Sequence, residues 1–351
     1  MKRNRLLRKV VIVTVMCLLF TAAFSAAAFA DSYTVTKDGT TTYVASGMRA
    51  LACTKMQDLS EVEWTLNAKD FYYAKTISNG VLTGLVHLKR DDANGNPIKR
   101  YGVPYSQVYR EFSNIDAKPY VVRLGDTSQT LNGRTYRTVK GVDCSSATCY
   151  SWRYAARNGG LTSYTDDFMK GSKKPDKSST STKYIYDGTS ILLDALNNSS
   201  VSYHRNNSTY TTSINVTKVG NYGNYKTYYW KDGEIQTIND ISKIITHLKS
   251  EGNYTKGKDV WSEVYAQIKP GDALVCPTHV RLVTGVTIKT NVDGSINPSE
   301  SEIHFIGQIG NNFNEEASNE YATTSWENKS QKFTTLLNAK YLPVKMNKID
   351  S

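Results

Sequence analysis

The chain is poor in the residues that usually build metal centres. It holds five cysteines and five histidines in 351 residues, with no Cys-x-x-Cys, no His-Glu-x-x-His and no Cys/His cluster at zinc spacing. Neither a metal nor another cofactor is therefore expected. Beyond residue 30 no apolar run approaches the roughly eighteen residues that a membrane-spanning helix needs. The one notable apolar stretch, Val10 to Phe20, follows Lys2, Arg3, Arg5, Arg8 and Lys9 and precedes Ala28-Phe29-Ala30. That order reads as a secretory signal peptide over residues 1–30, cut after Ala30. Met16 stands before Cys17 where a lipoprotein signal would want a small residue. An excess of one charge sign is also missing. The formal +11 contains five signal-peptide charges, so +6 is left on the exported part. This suits contact with an anionic wall and gives no nucleic-acid footprint.

What is present is enough for a core, with 39% hydrophobic and 11% aromatic residues. Residues 31–46 read as a Thr/Tyr-rich extended lead-in. Met48, Leu51, Ala52, Lys55 and Met56 recur at helical spacing, and Ser60 before Glu61 and Glu63 suggests a second helix start. Residues 141–157 become helical after Asp143, Ser145 and Ser146, each able to cap. Residues 170–230 turn rich in Ser, Thr, Asn, Lys and Tyr and read as a surface insertion. Helices are expected at Ile238 to Lys249 and near Val260 to Ile268. Strands follow at Ala273 to Val275, Val280 to Ile288 and Ile303 to Ile309, with Asp293-Gly294 as a turn. Helices followed by an antiparallel sheet give an α+β fold.

Two residues stand out for chemistry. Cys144 opens a helix, where the dipole and a nearby imidazole would favour thiolate and the turn's N–H groups could hold an oxyanion. Cys149 lies deeper in that helix and is assigned to packing, as is Cys53; pairing among Cys53, Cys149 and Cys276 is left open. His279, opening an apolar strand, is the best-placed base among the five histidines. A third group must orient it. If the last two strands form a hairpin centred on Asp293-Gly294, the residue opposite His279 is Gln308, and His304 on the same face is the alternative.

The motifs YGVPYS (Tyr101 to Ser106), GVDCSS (Gly141 to Ser146), KPGDAL (Lys269 to Leu274) and HVRLVTGV (His279 to Val286), in this order, resemble the NlpC-type papain-like cysteine peptidases of bacterial cell-wall turnover. The resemblance runs from about Tyr101 to Gly310. It implies a papain-like core, Cys144 as nucleophile, His279 as general base and acid, and Tyr105, Asp143 and Ser145 lining a pocket for the amino end of a wall peptide. Two features depart from the pattern: the long insertion between Cys144 and His279, and Ser106-Gln107-Val108 where Trp-Gly-Gly usually follows the Pro-Tyr pair.

The expected organisation is a signal peptide (1–30), an N-terminal lead-in and helical region (31–90) and a hydrolase domain (91–345) with an insertion at about 160–235. The expected function is a secreted cysteine hydrolase cutting an amide in a peptidoglycan peptide through a thioester. The alternatives are a non-catalytic surface protein binding carbohydrate or protein, and a thiol acyltransferase or transpeptidase. The expected partner is a wall peptide or another peptide substrate, without nucleic acid and without stable membrane insertion once the signal is removed.

Overall fold

A computed structural model describes residues 32–37, 39–65, 71–78, 81–106, 120, 122, 124–131, 134–156, 189–191, 199–214, 227–231, 234–238, 254–276, 279–309, 326–339, 341–346 and 349. The expected signal peptide and nearly all of the Ile238 to Lys249 helix lie outside them. The described part is α+β, built around an eight-stranded antiparallel sheet.

The sheet contains β1 (Ser32–Lys37), β2 (Thr40–Ala45), β3 (Thr189–Ile191), β4 (Ala273–Cys276), β5 (His279–Lys289), β6 (Glu302–Gln308), β7 (Trp326–Lys332) and β8 (Leu342–Met346). The central strand β5 has β6 along one edge. Along its other edge lie β4, beside its first half, and β2, beside its second. Strand β7 extends the sheet beyond β6. Central position explains why HVRLVTGVTIK is apolar on both faces: Val280, Leu282, Val283 and Val286 are all fully buried, as expected for a strand covered on two sides.

Helices α1 (Gly47–Glu61) and α2 (Cys144–Ala156) pack on each other and on β5 and β6. Ala52, Met56 and Leu59 of α1 lie one above the other at helical spacing and are buried. Trp152 of α2 donates its Nε1–H to the Gly271 carbonyl at 2.6 Å. Asn328 of β7 donates to Gln57 of α1, which places these helices on the side of the sheet bearing Ile306, Gln308, Trp326 and Asn328. Helix α3 (Tyr254–Tyr265) lies on the other side. Its Tyr265 hydroxyl donates to the Tyr341 carbonyl at 2.6 Å, and the Tyr341 ring lies against Arg281, which shares a face with Val283 and its ladder partner Phe305. Helix α4 (Phe333–Asn338) joins it through the Tyr265–Phe333 ring contact at 5.5 Å.

Several expectations shift. Ser60 does not start a helix. It sits in the last turn of α1, donating to the Gln57 carbonyl, and the chain then enters a short strand at Glu63–Trp64. The lead-in is a hairpin, β1 and β2, turning at Gly39 with φ +67° and built into the main sheet. The region 31–90 also supplies two strands, Phe71–Ser78 and Val81–Leu88, to a separate four-stranded sheet with Leu124–Leu131 and Arg134–Val139. Helix α3 begins six residues before the expected Val260.

Candidate active site

The segment before α2 is held by a close backbone approach. Val142 donates to the Pro104 carbonyl at 3.0 Å, Ser106 donates to the Val142 carbonyl at 2.9 Å, and Tyr105 and Val142 form a parallel bridge. Gly141 makes this possible, because a Cβ there would stand 2.1 Å from the Pro104 oxygen. Tyr105 is thereby brought beside the start of α2. Asp143 caps that helix: its Oδ1 accepts the Ser146 N–H at 2.7 Å and the Ser145 hydroxyl at 3.0 Å, while Ser146 Oγ accepts the Asp143 N–H at 2.7 Å. This reciprocal arrangement satisfies orphan donors of the first turn. Cys144 therefore sits at a well-capped helix head, and it is buried.

Gln308 reaches the same neighbourhood. Its Nε2 donates to the Val103 carbonyl at 2.7 Å, an oxygen that also accepts from Trp326 Nε1 at 3.0 Å. Val103 N–H in turn donates to Leu59 at the end of α1. The structure thus gathers Tyr105, Asp143, Cys144, Ser145 and Gln308 on the α1/α2 side.

His279 is not on that side. The imidazole Nε2 lies 3.0 Å from Glu327 Oε1. Glu327 belongs to β7 opposite Gly307, and Gly307 shares a face with Phe305. The expected hairpin register put residue 308 opposite 279. The observed pairs, Leu282 with Ile306 and Val283 with Phe305, are displaced by one residue, with a further irregularity between Val283 and Gly285. Strand side chains alternate, so a slip of one residue moves a side chain to the opposite face. Gln308 consequently does not orient His279. Nor does His304, which stands half-exposed 3.4 Å from Glu302 and against Gly285. The orienting group is Glu327, which the sequence reading missed. The only signal for it was the polar run WENKSQK, an edge-strand pattern whose single inward carboxylate is visible only once the register is known.

Gly307 creates the space for this contact. A Cβ at Gly307 would lie 3.0 Å from Arg281 Cγ, 3.1 Å from Glu327 Oε1 and 3.3 Å from His279 Nε2. Glu327 is also gripped by Arg281, through Nε at 2.5 Å and Nη2 at 3.2 Å. The guanidinium is sandwiched between Phe305 and Tyr341, 4.2 and 4.5 Å from the ring centres, and Nη1 donates to Gln331. Burial opposes ionisation of Glu327. The hydrogen bond from His279 and the charge of Arg281 outweigh it and hold the carboxyl below the usual glutamate range. An ionised carboxylate only accepts, so it fixes the proton of neutral His279 on Nε2 and leaves the basic lone pair on Nδ1.

The depressed carboxyl has a consequence for stability. Its contribution is complete above the unfolded glutamate value of about 4.3 and disappears as pH falls through the lower folded value. Acid titration of unfolding should show stability dropping below about pH 4, and Glu327→Gln should flatten that part of the curve. An unchanged curve would contradict the assignment.

None of the four cysteines Cys53, Cys144, Cys149 and Cys276 is part of a disulfide. Cys53 donates to the Val283 carbonyl at 3.5 Å, and burial pushes its thiol up to about 12, which makes it a poor nucleophile. Cys149 is fully buried in α2. Cys276 is the ladder partner of His279. Burial disfavours ionisation of the neighbouring Tyr341, and the Cys276 thiol adds to that effect. Among the described residues no cluster of His, Cys, Asp or Glu is placed to hold a metal ion, and no helix is long and apolar enough to cross a membrane. Compared with family models, with curated proteins and with solved structures, the chain matches none.

Proposed function

We propose that the protein is an exported cysteine hydrolase with a papain-like core that cleaves an amide bond in a cell-wall peptide. The observation that carries this reading is the carboxylate-held imidazole, His279 Nε2 to Glu327 Oε1 at 3.0 Å. A thiol, an imidazole and a group orienting that imidazole are the parts that amide cleavage through a thioester requires. The order of the four sequence motifs and the signal-like N-terminus supply the wall-peptide context. In the reaction, a thiol gives its proton to Nδ1 and attacks the amide carbon. The C–N bond breaks as the amine takes that proton, and water then attacks the thioester with the imidazole again as base.

The motif order names Cys144 as the nucleophile, yet α2 packs on the face opposite to the one from which His279 projects. Incubation of purified cell wall with the full chain, with and without prior thiol alkylation, tests the reaction class. Alkylation-sensitive release of peptides with new free termini is expected. New cross-links would instead indicate acyl transfer, and an unchanged wall would sink the enzymatic reading. Surface binding is the second reading. It is favoured by the hairpin Ser199–Arg205 with Ser208–Ile214, where exposed Tyr210 stacks on Tyr203 at 5.4 Å.

A further inference from the structure

From the geometry we infer that the thiol served by His279 is Cys276, so that Cys276, His279 and Glu327 form a thiol–imidazole–carboxylate set on the sheet face opposite Cys144. This rests on the hydrolase reading and names its nucleophile.

The ladder pairs the two residues. Cys276 and His279 are direct Cα partners at the closed end of the β4–β5 hairpin. Partner residues in an antiparallel pair share a face, with Cβ atoms about 4.5–5.5 Å apart. A thiol and an imidazole so placed can meet without any change of backbone. Cys144 has no such relation to His279, because its helix covers the other face.

The second element is the direction of the lone pair. Glu327 occupies Nε2, and the nitrogen left to act as base is Nδ1. The third is support on every side. Arg281, two residues along β5, fixes both carboxylate oxygens of Glu327, and Phe305 and Tyr341 clamp Arg281. The base and the carboxylate are thus fixed in one packed network with the thiol across the ladder from the base, and the imidazolium formed when His279 takes the thiol proton would be balanced by Glu327.

In the reaction the Cys276 proton moves to Nδ1 and a C–S bond forms to the substrate carbonyl. The C–N bond breaks, the imidazolium returns the proton to the leaving amine, and water then releases the acid and restores the thiol. No oxidant or further reactant is needed.

Limited alkylation of the full chain with iodoacetamide near pH 6.5, about two units below an ordinary thiol's value, followed by mass-spectrometric mapping, tests the pairing without any substrate. Cys276 should be labelled at least about tenfold faster than Cys144, since in general the thiolate is the form that reacts. His279→Ala and Glu327→Gln should each slow that labelling. Faster labelling of Cys144, an inert Cys276, or labelling of Cys276 indifferent to both substitutions would overturn the inference. The wall assay then separates the two proposals. If Cys276→Ser abolishes peptide release and Cys144→Ser preserves it, Cys276 is the nucleophile; the reverse pattern overturns Cys276 and leaves the hydrolase reading standing. If the unaltered chain releases nothing, the hydrolase reading fails, and the labelling result alone judges the pairing.

Discussion

Replacement of His279 by alanine is expected to lower amide hydrolysis by about 10²–10⁴-fold, the range that one positioned acid–base group commonly contributes. The side chain is largely enclosed and stands at the end of a strand. Its truncation removes one partner of Glu327 but leaves the two bonds from Arg281. Folding should therefore survive where chemistry does not. Turnover of wall peptide, measured beside a thermal melt, separates the two. An active His279→Ala protein would remove the imidazole from the mechanism whichever thiol attacks.

The largest effect on stability is expected at Arg49. This arginine lies in α1 and is 1% exposed, and its Nη1 is 2.8 Å from both Asp272 Oδ1 and the Pro270 carbonyl. Asp272 is 2% exposed and also accepts the Lys269 N–H through Oδ2. Removing the cation leaves a buried carboxylate without its counter-charge, which costs about 3–5 kcal/mol. The Arg49 stem also covers Gly271, where φ is +92° and a Cβ would stand 3.2 Å from Arg49 Cγ. Arg49→Ala should lower the denaturant midpoint by the equivalent of that energy, while Asp272→Asn in the Arg49→Ala background should recover part of it. A loss below about 1 kcal/mol would place the pair among ordinary surface bridges.

These two sites differ in how far they could be read from sequence. The strands containing His279 and Gln308 were legible because apolar runs bounded by Lys269-Pro270-Gly271 and by Asp293-Gly294 have few other folds open to them. The start of α2 was equally legible, since Asp143 and Ser146 are cap residues and do cap. Parity was not legible. The connection from β5 to β6 and the irregularity at Val283/Gly285 displace the pairing by a single residue, and that residue decides whether Gln308 or Gly307 faces the imidazole. Arg49 was invisible for a related reason: in a helix with Lys55 and Met56 it resembles any solvated basic residue until the Gly-Asp turn closes over it. Glu327 needed both kinds of information, the register of β6 and the presence of a strand outside it.

Gly307 ties two distant points of the chain into one heritable unit. The carboxylate from the outer strand crosses the position where the inner strand would ordinarily present its own side chain, so a side chain at 307 and the acid at 327 compete for one space. A lineage that moved the carboxylate inward to 307 would free 327 to vary. One that kept it at 327 could take a methyl group at 307 only by letting His279, Arg281 and Glu327 each give by a few tenths of an ångström.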